Sequence, residues 1–151
     1  MTIIMSRAAL AAALTLTCAS AGAEPYVDYT PQKGFWQITA VEVDPNHIDD
    51  YLVGLKGSQV PGFDVLKRRG LIDDYKFMVR TGYSKGSPNV LIMTRSGSMG
   101  SLDANKSRDQ AVQKEIEAVF SKEAGKVAVA GYEKYRTFID DGMWVEQTMS
   151  K

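Results

Sequence analysis

The chain has 151 residues with 18 basic and 18 acidic side chains, and 44% of its residues are hydrophobic. This balanced charge gives no electrostatic reason to expect a nucleic acid or an anionic membrane surface as partner, because both attract basic proteins. The single cysteine, Cys18, excludes a framework of disulfides within the chain.

Residues 1–23 show the order of features of a secretory signal peptide. The apolar run after Arg7 is shorter than the about 20 residues of a membrane-spanning helix. Ala21 and Ala23 then provide the two small residues of an A-x-A cleavage site. We therefore predict cleavage after Ala23 and a periplasmic or secreted protein. An uncleaved anchor and lipidation of Cys18 are the less favoured alternatives.

The mature chain would comprise 128 residues, a normal size for one domain. It loses one basic residue and the cysteine, so 17 basic side chains face 18 acidic ones, and the chain has no thiol nucleophile. Residues 24–34 are rich in proline and polar side chains, which predicts an extended N-terminal arm. Residues 35–151 are predicted to form the folded domain.

Hydrophobic periodicity predicts alternating strands and helices in this domain. The predicted elements are a strand over 35–43, a helix over 44–70 that breaks near residue 60, strands over 75–83 and 90–95, a helical region over 107–135 with breaks at Gly125 and Gly131, and a strand over 136–148 with a bulge at 140–142. Asp44 and Pro45 are typical of a helix start, and Pro61 removes a donor inside the helical pattern.

This order is that of the ferredoxin-like βαββαβ arrangement, an α+β fold. We predict a four-stranded antiparallel sheet with the helices on one face. The first strand has apolar residues on both of its sides, so the uncovered face of the sheet is also expected to be apolar. A monomer seldom exposes so much contiguous apolar surface, and we therefore predict a homodimer packed sheet to sheet.

Three stretches resemble the dimeric α+β barrel superfamily, which includes antibiotic-biosynthesis-monooxygenase-like domains: FWQITAVEVDPNHIDDYL, VPGFDVLKRRGLIDDYKFM and NVLIMTRSGSMGSLD. They share an aromatic first strand that leads through Asp-Pro into the helix, a Val-Pro within the helix, and the hairpin, over about residues 35–103. The resemblance implies a dimeric barrel that holds small hydrophobic substrates between helix and sheet. The superfamily includes oxygenases, haem-degrading enzymes, lyases and isomerases, so the resemblance does not select a reaction.

His47 is the only histidine, and it lies three residues after Asp44 in the first helical turn. Histidine titrates near neutral pH, so a general base or a haem ligand is chemically possible. The sequence provides no second histidine or ordered carboxylate pair to complete a metal site, and a base also needs a positioned partner. We therefore predict no metal and no cofactor, and we favour a local structural role for His47.

Aromatic and basic side chains of the first strands and helix predict a ligand pocket between helix and sheet. The candidate ligand-binding residues are Trp36, Tyr51, Phe63, Tyr75, Phe77, Arg80 and Arg95. The two arginines would present positive charge to an acidic ligand. The alternative is that these aromatic side chains only fill the core, which is the commoner role of an aromatic stripe at helical spacing.

The leading functional hypothesis is an exported small-molecule-binding protein of unassigned activity, with a hydrophobic ligand that is aromatic or acidic. A second hypothesis is a cofactor-independent oxygenase or lyase-like enzyme, in which His47, Tyr51 or Tyr75 transfers a proton. A third is a protein-interaction module that pairs through its sheet. The sequence leaves open whether the protein is an enzyme.

Overall fold

The computed structural model describes residues 22–151, so the predicted signal peptide lies outside the described residues except for its last two positions. No helix among the described residues combines the length and the hydropathy that crossing a bilayer requires. The helices and strands in chain order are β1 (Tyr29–Pro31), β2 (Phe35–Val43), α1 (Ile48–Ser58), α2 (Val60–Arg68), β3 (Asp74–Val79), β4 (Val90–Ser96), α3 (Lys106–Val119), α4 (Lys122–Tyr132), β5 (Arg136–Trp144) and β6 (Gln147–Met149).

Four strands form an antiparallel sheet in the order β3-β4-β2-β5. One pair of helices, α1 and α2, connects β2 to β3, and a second pair, α3 and α4, connects β4 to β5. This is the ferredoxin-like α+β architecture, as the sequence predicts. The short strands β1 and β6 pair with each other and form a separate two-stranded ladder that links residues 29–31 to residues 147–149.

The interruption predicted near residue 60 is confirmed, since α1 ends at Ser58 and α2 begins at Val60. Proline lies in the first turn of α2, where its missing N–H costs no helical hydrogen bond. At the start of this segment the carboxylate of Asp44 accepts a hydrogen bond from the backbone N–H of Asn46 at 2.9 Å. Gly70 follows α2 with φ of +68°, a left-handed conformation that glycine adopts without a steric penalty.

The helix breaks predicted at Gly125 and Gly131 are wrong, because both glycines lie within α4. The interruption occurs at residues 120–121, where the hydroxyl of Ser121 accepts a hydrogen bond from the N–H of Ala124 at 3.2 Å. A capping serine supplies the acceptor that starts a new helix. A glycine inside a helix only lowers its stability, by about 1 kcal/mol.

Two strand predictions also differ from the structure. The second strand ends at Val79 rather than at residue 83, because the following loop folds back onto β2. There the carboxylate of Glu42 accepts hydrogen bonds from the Tyr83 hydroxyl at 3.0 Å and the Gly86 N–H at 2.8 Å. The predicted last strand over 136–148 consists of two strands, β5 and β6.

The bulge in the last strand lies one residue before the predicted position. Val41 of β2 pairs with Phe138, and the preceding Ala40 pairs with Asp140, so Ile139 is the extra residue of β5. Beyond this point β5 resumes a regular register with β2. The bulge therefore changes the alternation of β5, so it determines which side chains face the helices before Ile139 and which face them after it.

The side of the sheet that packs on the helices is called the helix-covered face. Its densest part is a cluster in which every side chain is at most 2% exposed: Val41, Val43, Tyr51, Leu55, Val90 and Tyr132. Helix α1 packs on α4 above this cluster, and α2 packs on α3. Gly54 allows the close approach of α1 and α4, since a Cβ atom there would lie 2.2 Å from the Tyr132 ring.

The opposite side of the sheet, called the open face, has an apolar centre. Strand alternation and register place the following side chains on it: Trp36, Ile38, Ala40, Met78, Leu91, Met93 and Trp144. Trp144 is 58% exposed and Met78 is 49% exposed. Charged residues flank this centre, and the ammonium group of Lys76 lies 5.0 Å from the centre of the Trp36 ring.

Candidate functional site

A cleft of about 280 Å³ lies between the helix-covered face and the start of α2, and we call it the helix–sheet cleft. It is lined by Gln37, Thr39, Gln59, Phe63, Ile92, Thr94, Arg136 and Phe138. A neighbouring cleft of about 430 Å³ shares Gln37, Phe63 and Thr94 with it and extends to α3. The first volume is close to the lower end of the roughly 300–1,000 Å³ typical of small-molecule pockets.

The cleft exists because polar residues replace apolar ones in the sheet layer. Gln37 and Thr39 occupy the same side of β2 as the buried Val41 and Val43, and Gln37 is paired with Thr94 of β4. Apolar side chains close the layer at the valines. The polar side chains do not close it, and Gln37 stays exposed although it lies on the helix-covered face.

Most of the polar side chains that line the cleft are not committed to other protein groups. The Thr39 hydroxyl donates to the Asp141 carboxylate at 2.8 Å. Within residues 22–151, the side chains of Gln37, Gln59 and Thr94 make no hydrogen bond to another protein group. These side chains offer both donors and acceptors at the cleft wall.

Arg136, the first residue of β5, is the one charged side chain that lines the helix–sheet cleft. Its guanidinium carbon lies 4.5 Å from the ring centre of Phe138, 5.1 Å from that of Tyr132 and 6.0 Å from that of Tyr51. No carboxylate among residues 22–151 lies within ion-pair distance of it. Stacking on aromatic rings therefore positions this half-buried cation.

Tyr51 lies beneath Arg136 in the core cluster, and it does not line the cleft. Its side chain is fully buried, and its hydroxyl has no hydrogen-bond partner among the described residues. Burial raises the pKa of Tyr51, and the Arg136 guanidinium offsets part of that rise, because it lies close to the hydroxyl, although not in hydrogen-bond geometry, and carries a positive charge. The phenol is therefore protonated at neutral pH, so it is not poised to act as a base.

His47 lies at the start of α1 and does not line the cleft. Its ring stacks on Tyr135 with 3.7 Å between ring centres and an angle of 14° between the planes. Its Nδ1 lies 2.9 Å from the Asp50 carboxylate. These contacts connect the first turn of α1 to the segment that precedes β5, and they account for the position of the ring.

The predicted aromatic residues of α2 and β3 form one group. The Phe63 ring centre lies 5.3 Å from that of Tyr75 and 6.3 Å from that of Phe77. The Tyr75 hydroxyl donates to the Asp64 carboxylate at 2.8 Å, and this hydrogen bond raises the pKa of Tyr75. Among the three aromatic residues, only Phe63 lines the helix–sheet cleft.

The remaining predicted residues lie elsewhere. Trp36 and Arg95 pair across β2 and β4 on the open face, so they do not line the space between helices and sheet. Arg80 is exposed just beyond the end of β3. The predicted set is therefore divided among the cleft, the core, the open face and a loop.

Sequence reasoning missed most of the residues that line the cleft. Gln37 and Thr39 carried a usable signal, because they are polar positions on the otherwise apolar inward side of the first strand. The signal for Arg136 was weaker, because it consisted only of a charged residue between a helical segment and a strand. Thr94 carried none, because its position opposite Gln37 follows only from the strand register.

No protein-family model, no curated protein and no solved structure matches the chain. Within residues 22–151, no group of three or more histidine, cysteine, aspartate or glutamate side chains is placed to hold a metal ion.

Proposed function

We propose that the protein is exported and binds a small molecule in the helix–sheet cleft, as a homodimer of the dimeric α+β barrel type. The observation that carries the binding proposal is the polar lining of an otherwise apolar layer. Gln37, Gln59 and Thr94 face a space between helices and sheet, and their side chains have no hydrogen-bond partner among residues 22–151. These side chains are exposed or half-buried, so water can reach them in the empty cleft, and a ligand that replaces this water can use their donors and acceptors.

The apolar part of the lining supports a ligand that has both apolar and polar parts. Phe63, Ile92 and Phe138 contribute apolar surface to the same cleft. Phe138 is 58% exposed, so contact with a ligand would remove apolar surface from water. The lining contains no group with an ordinary pKa near neutral pH, which favours binding over proton-transfer chemistry.

The open face supports the homodimer. Its apolar centre is contributed by all four strands, and a second copy presents the same surface in an isologous pairing. Charged residues flank this centre, with Asp74 opposite Arg95 and Lys76 over the Trp36 ring, so a dimer would have an apolar core with a polar rim. This arrangement corresponds to the barrel that the sequence resemblance implies.

Export is proposed from residues 1–23. The test is the intact mass of the protein expressed with its own N-terminus and recovered from the periplasm or the medium. A chain that begins at Glu24 is expected. A chain that retains Met1, or one lipidated at Cys18, would contradict the proposal.

Native mass spectrometry of the protein purified gently from its own source tests binding and dimerisation together. We expect a dimer that carries a small-molecule adduct. Thr94→Phe, which fills the cleft, is expected to lose the adduct and keep the dimer. The matched control Thr81→Phe, in the exposed loop after β3, is expected to keep both. A dimer without adduct would contradict binding.

The open face is tested with Ile38→Lys, which places a charge at its centre. Burying an unpaired charge costs several kcal/mol, so light scattering is expected to give a monomer. Val53→Lys, on an exposed position of α1, is the control and is expected to remain a dimer. A wild-type monomer at micromolar concentration, or a wild-type chain that pairs only with a different protein, would contradict the homodimer.

A further inference from the structure

Arg136 has a charge that the described protein does not neutralise. The guanidinium lines the helix–sheet cleft, is half-buried, and has no carboxylate of residues 22–151 within ion-pair distance. Every other residue that lines this cleft is uncharged. A partly desolvated cation beside uncharged hydrogen-bonding groups attracts an anion more strongly than an exposed one does.

From this arrangement we propose that the ligand of the cleft is a small carboxylic acid whose carboxylate pairs with Arg136. The inference rests on the proposed binding function and specifies its ligand class. A guanidinium presents two parallel N–H groups that match the two oxygens of a carboxylate. A neutral ligand of the same shape leaves this cation unpaired.

The one acidic side chain that strands β2, β3, β4 and β5 place on the helix-covered face does not neutralise Arg136. Asp141 pairs with Thr39 in the ladder, whereas Arg136 pairs with Val43, four residues further along β2. At the strand rise this separates the two positions by about 13 Å. The Asp141 carboxylate already accepts a hydrogen bond from Thr39, and Asp140, opposite Ala40, lies on the open face.

The rings around Arg136 fix its place without neutralising it. Phe138, Tyr132 and Tyr51 all lie within 6.0 Å of the guanidinium carbon, measured to their ring centres. A guanidinium in cation–π contact with aromatic rings can still donate hydrogen bonds through its N–H groups. Tyr51 supplies no negative charge to its neighbour, since its buried phenol is protonated at neutral pH.

The size and lining of the cleft suggest the rest of the ligand. A volume of about 280 Å³ fits a single-ring acid or a short-chain acid rather than a polycyclic one. Phe63 and Phe138 provide aromatic faces against which a ring can pack. Gln59 and Thr94 remain available to a second polar substituent.

The test compares phenylacetate with phenylacetamide, a pair that differs in charge and not in the number of heavy atoms. Both are titrated into the mature wild-type protein, and binding is followed by calorimetry and by the NMR signals of the cleft residues. The acid is expected to bind at least about tenfold more tightly, because hydrogen bonds to a charged group are stronger. Hexanoate and hexanamide form a second pair with a flexible chain in place of the ring.

Arg136→Gln removes the charge and keeps a hydrogen-bonding side chain, so it is expected to abolish the preference for the acid. Lys56→Gln, an equal loss of charge on the exposed side of α1, is expected to keep the preference. If Arg136→Gln does not fold, the comparison of acid with amide on the wild-type protein decides the question alone.

Two other outcomes separate a failure of the carboxylate inference from a failure of the proposed binding site. Equal binding of acid and amide at the cleft would overturn the carboxylate inference and leave the proposed binding function standing. If none of the four compounds perturbs the cleft signals at millimolar concentration, or if shifts occur only on the open face, the inference and the proposed site both fail.

Discussion

The two ends of the helix-covered face differ in the side chains that they place beneath the helices. At the core end, Val41, Val43 and Val90 pack beneath α1 and α4 and are fully buried. At the cleft end, Gln37 and Thr94 lie beneath α2 and leave a space. Strands β2 and β4 pair without irregularity through both ends, whereas β5 has its bulge at Ile139 between them. The space therefore results from the choice of side chains on β2 and β4 together with the change of register on β5.

The two ends also differ in how their polar side chains are hydrogen-bonded. Asn89 is 3% exposed, and its amide donates to the carbonyl of Val43 and accepts from the N–H of Val43, both at 2.7 Å. A buried side chain there satisfies the backbone completely. At the cleft end, the side chains of Gln37, Gln59 and Thr94 have no hydrogen-bond partner in the described part of the chain. Polar groups therefore complete the structure at one end and remain free for binding at the other.

The largest expected effect is the difference in free energy of unfolding between a side-chain truncation at the core end and one at the cleft end. Leu55→Ala, at a position that is 1% exposed, should lower the free energy of unfolding by about 2–5 kcal/mol, because it leaves a cavity in the core. Thr94→Ala at the cleft end should cost less than about 1 kcal/mol, because its half-buried side chain has few groups to lose. Urea unfolding measures both. Similar costs would mean that the cleft is a packed part of the core.

Removing the hydroxyl should destabilise the protein at Tyr132 and should not destabilise it at the neighbouring Tyr51. The Tyr132 hydroxyl lies 2.8 Å from the Ser58 hydroxyl, so Tyr132→Phe should cost about 1 kcal/mol. The Tyr51 hydroxyl is buried without a partner among the described residues, so Tyr51→Phe should be neutral or stabilising by up to about 1 kcal/mol. Thermal unfolding measures both. A clear loss for Tyr51→Phe would indicate a hydrogen bond to Arg136.

The bounds of several strands and helices could be predicted from the sequence, because the signals for them are local. The strand over residues 35–43 has the predicted bounds, and the proline-induced break lies where Pro61 places it. The helix break lies at Ser121 rather than at Gly125, because a capping serine starts a new helix whereas an interior glycine does not end one. The same reasoning cannot locate the cleft, since it is assembled from three strands and a helix whose register is set by tertiary pairing.

The positions of the aromatic residues were also only partly predictable from the sequence. Phe63, Tyr75 and Phe77 come together as an aromatic group, as helical and strand periodicity suggest. Aromatic character alone does not say whether a ring packs in the core or lines a space. Trp36 is as aromatic as Phe63, yet alternation along β2 places it on the open face. The direction of each side chain, rather than its type, determined where it lies.

Replacing a polar group of the cleft wall with an apolar one of the same size should stabilise the fold and weaken binding. Thr94→Val keeps the shape of the side chain and replaces an uncommitted hydroxyl with a methyl group. Because no protein hydrogen bond to residues 22–151 is lost, the variant should be more stable by up to about 0.5 kcal/mol. Its affinity for a ligand that bonds to the hydroxyl should fall. A destabilised variant would mean that the hydroxyl serves the fold rather than a ligand.

The smallest expected effect concerns the attachment of α2 to α3 beside the cleft. The carboxylate of Glu115 accepts hydrogen bonds from Arg68 and from Arg69, the latter at 2.6 Å. The bond from Arg68, with that from Arg69, lowers the pKa of Glu115 below its ordinary value of 4.5. A lowered pKa means that this contribution to stability is present above the ordinary value and is lost as pH falls through the lowered one.

Glu115→Gln should therefore lower Tm slightly at pH 7 and have no effect once the wild-type carboxyl is protonated in acid. The change should be small because these ion pairs are largely exposed, and added salt should reduce it further. Glu117→Gln, on an exposed position of the same helix without an arginine partner, is the control. A loss of stability that persists in acid would show that Glu115 supports the cleft through packing, and the two ends would then differ less than their charges suggest.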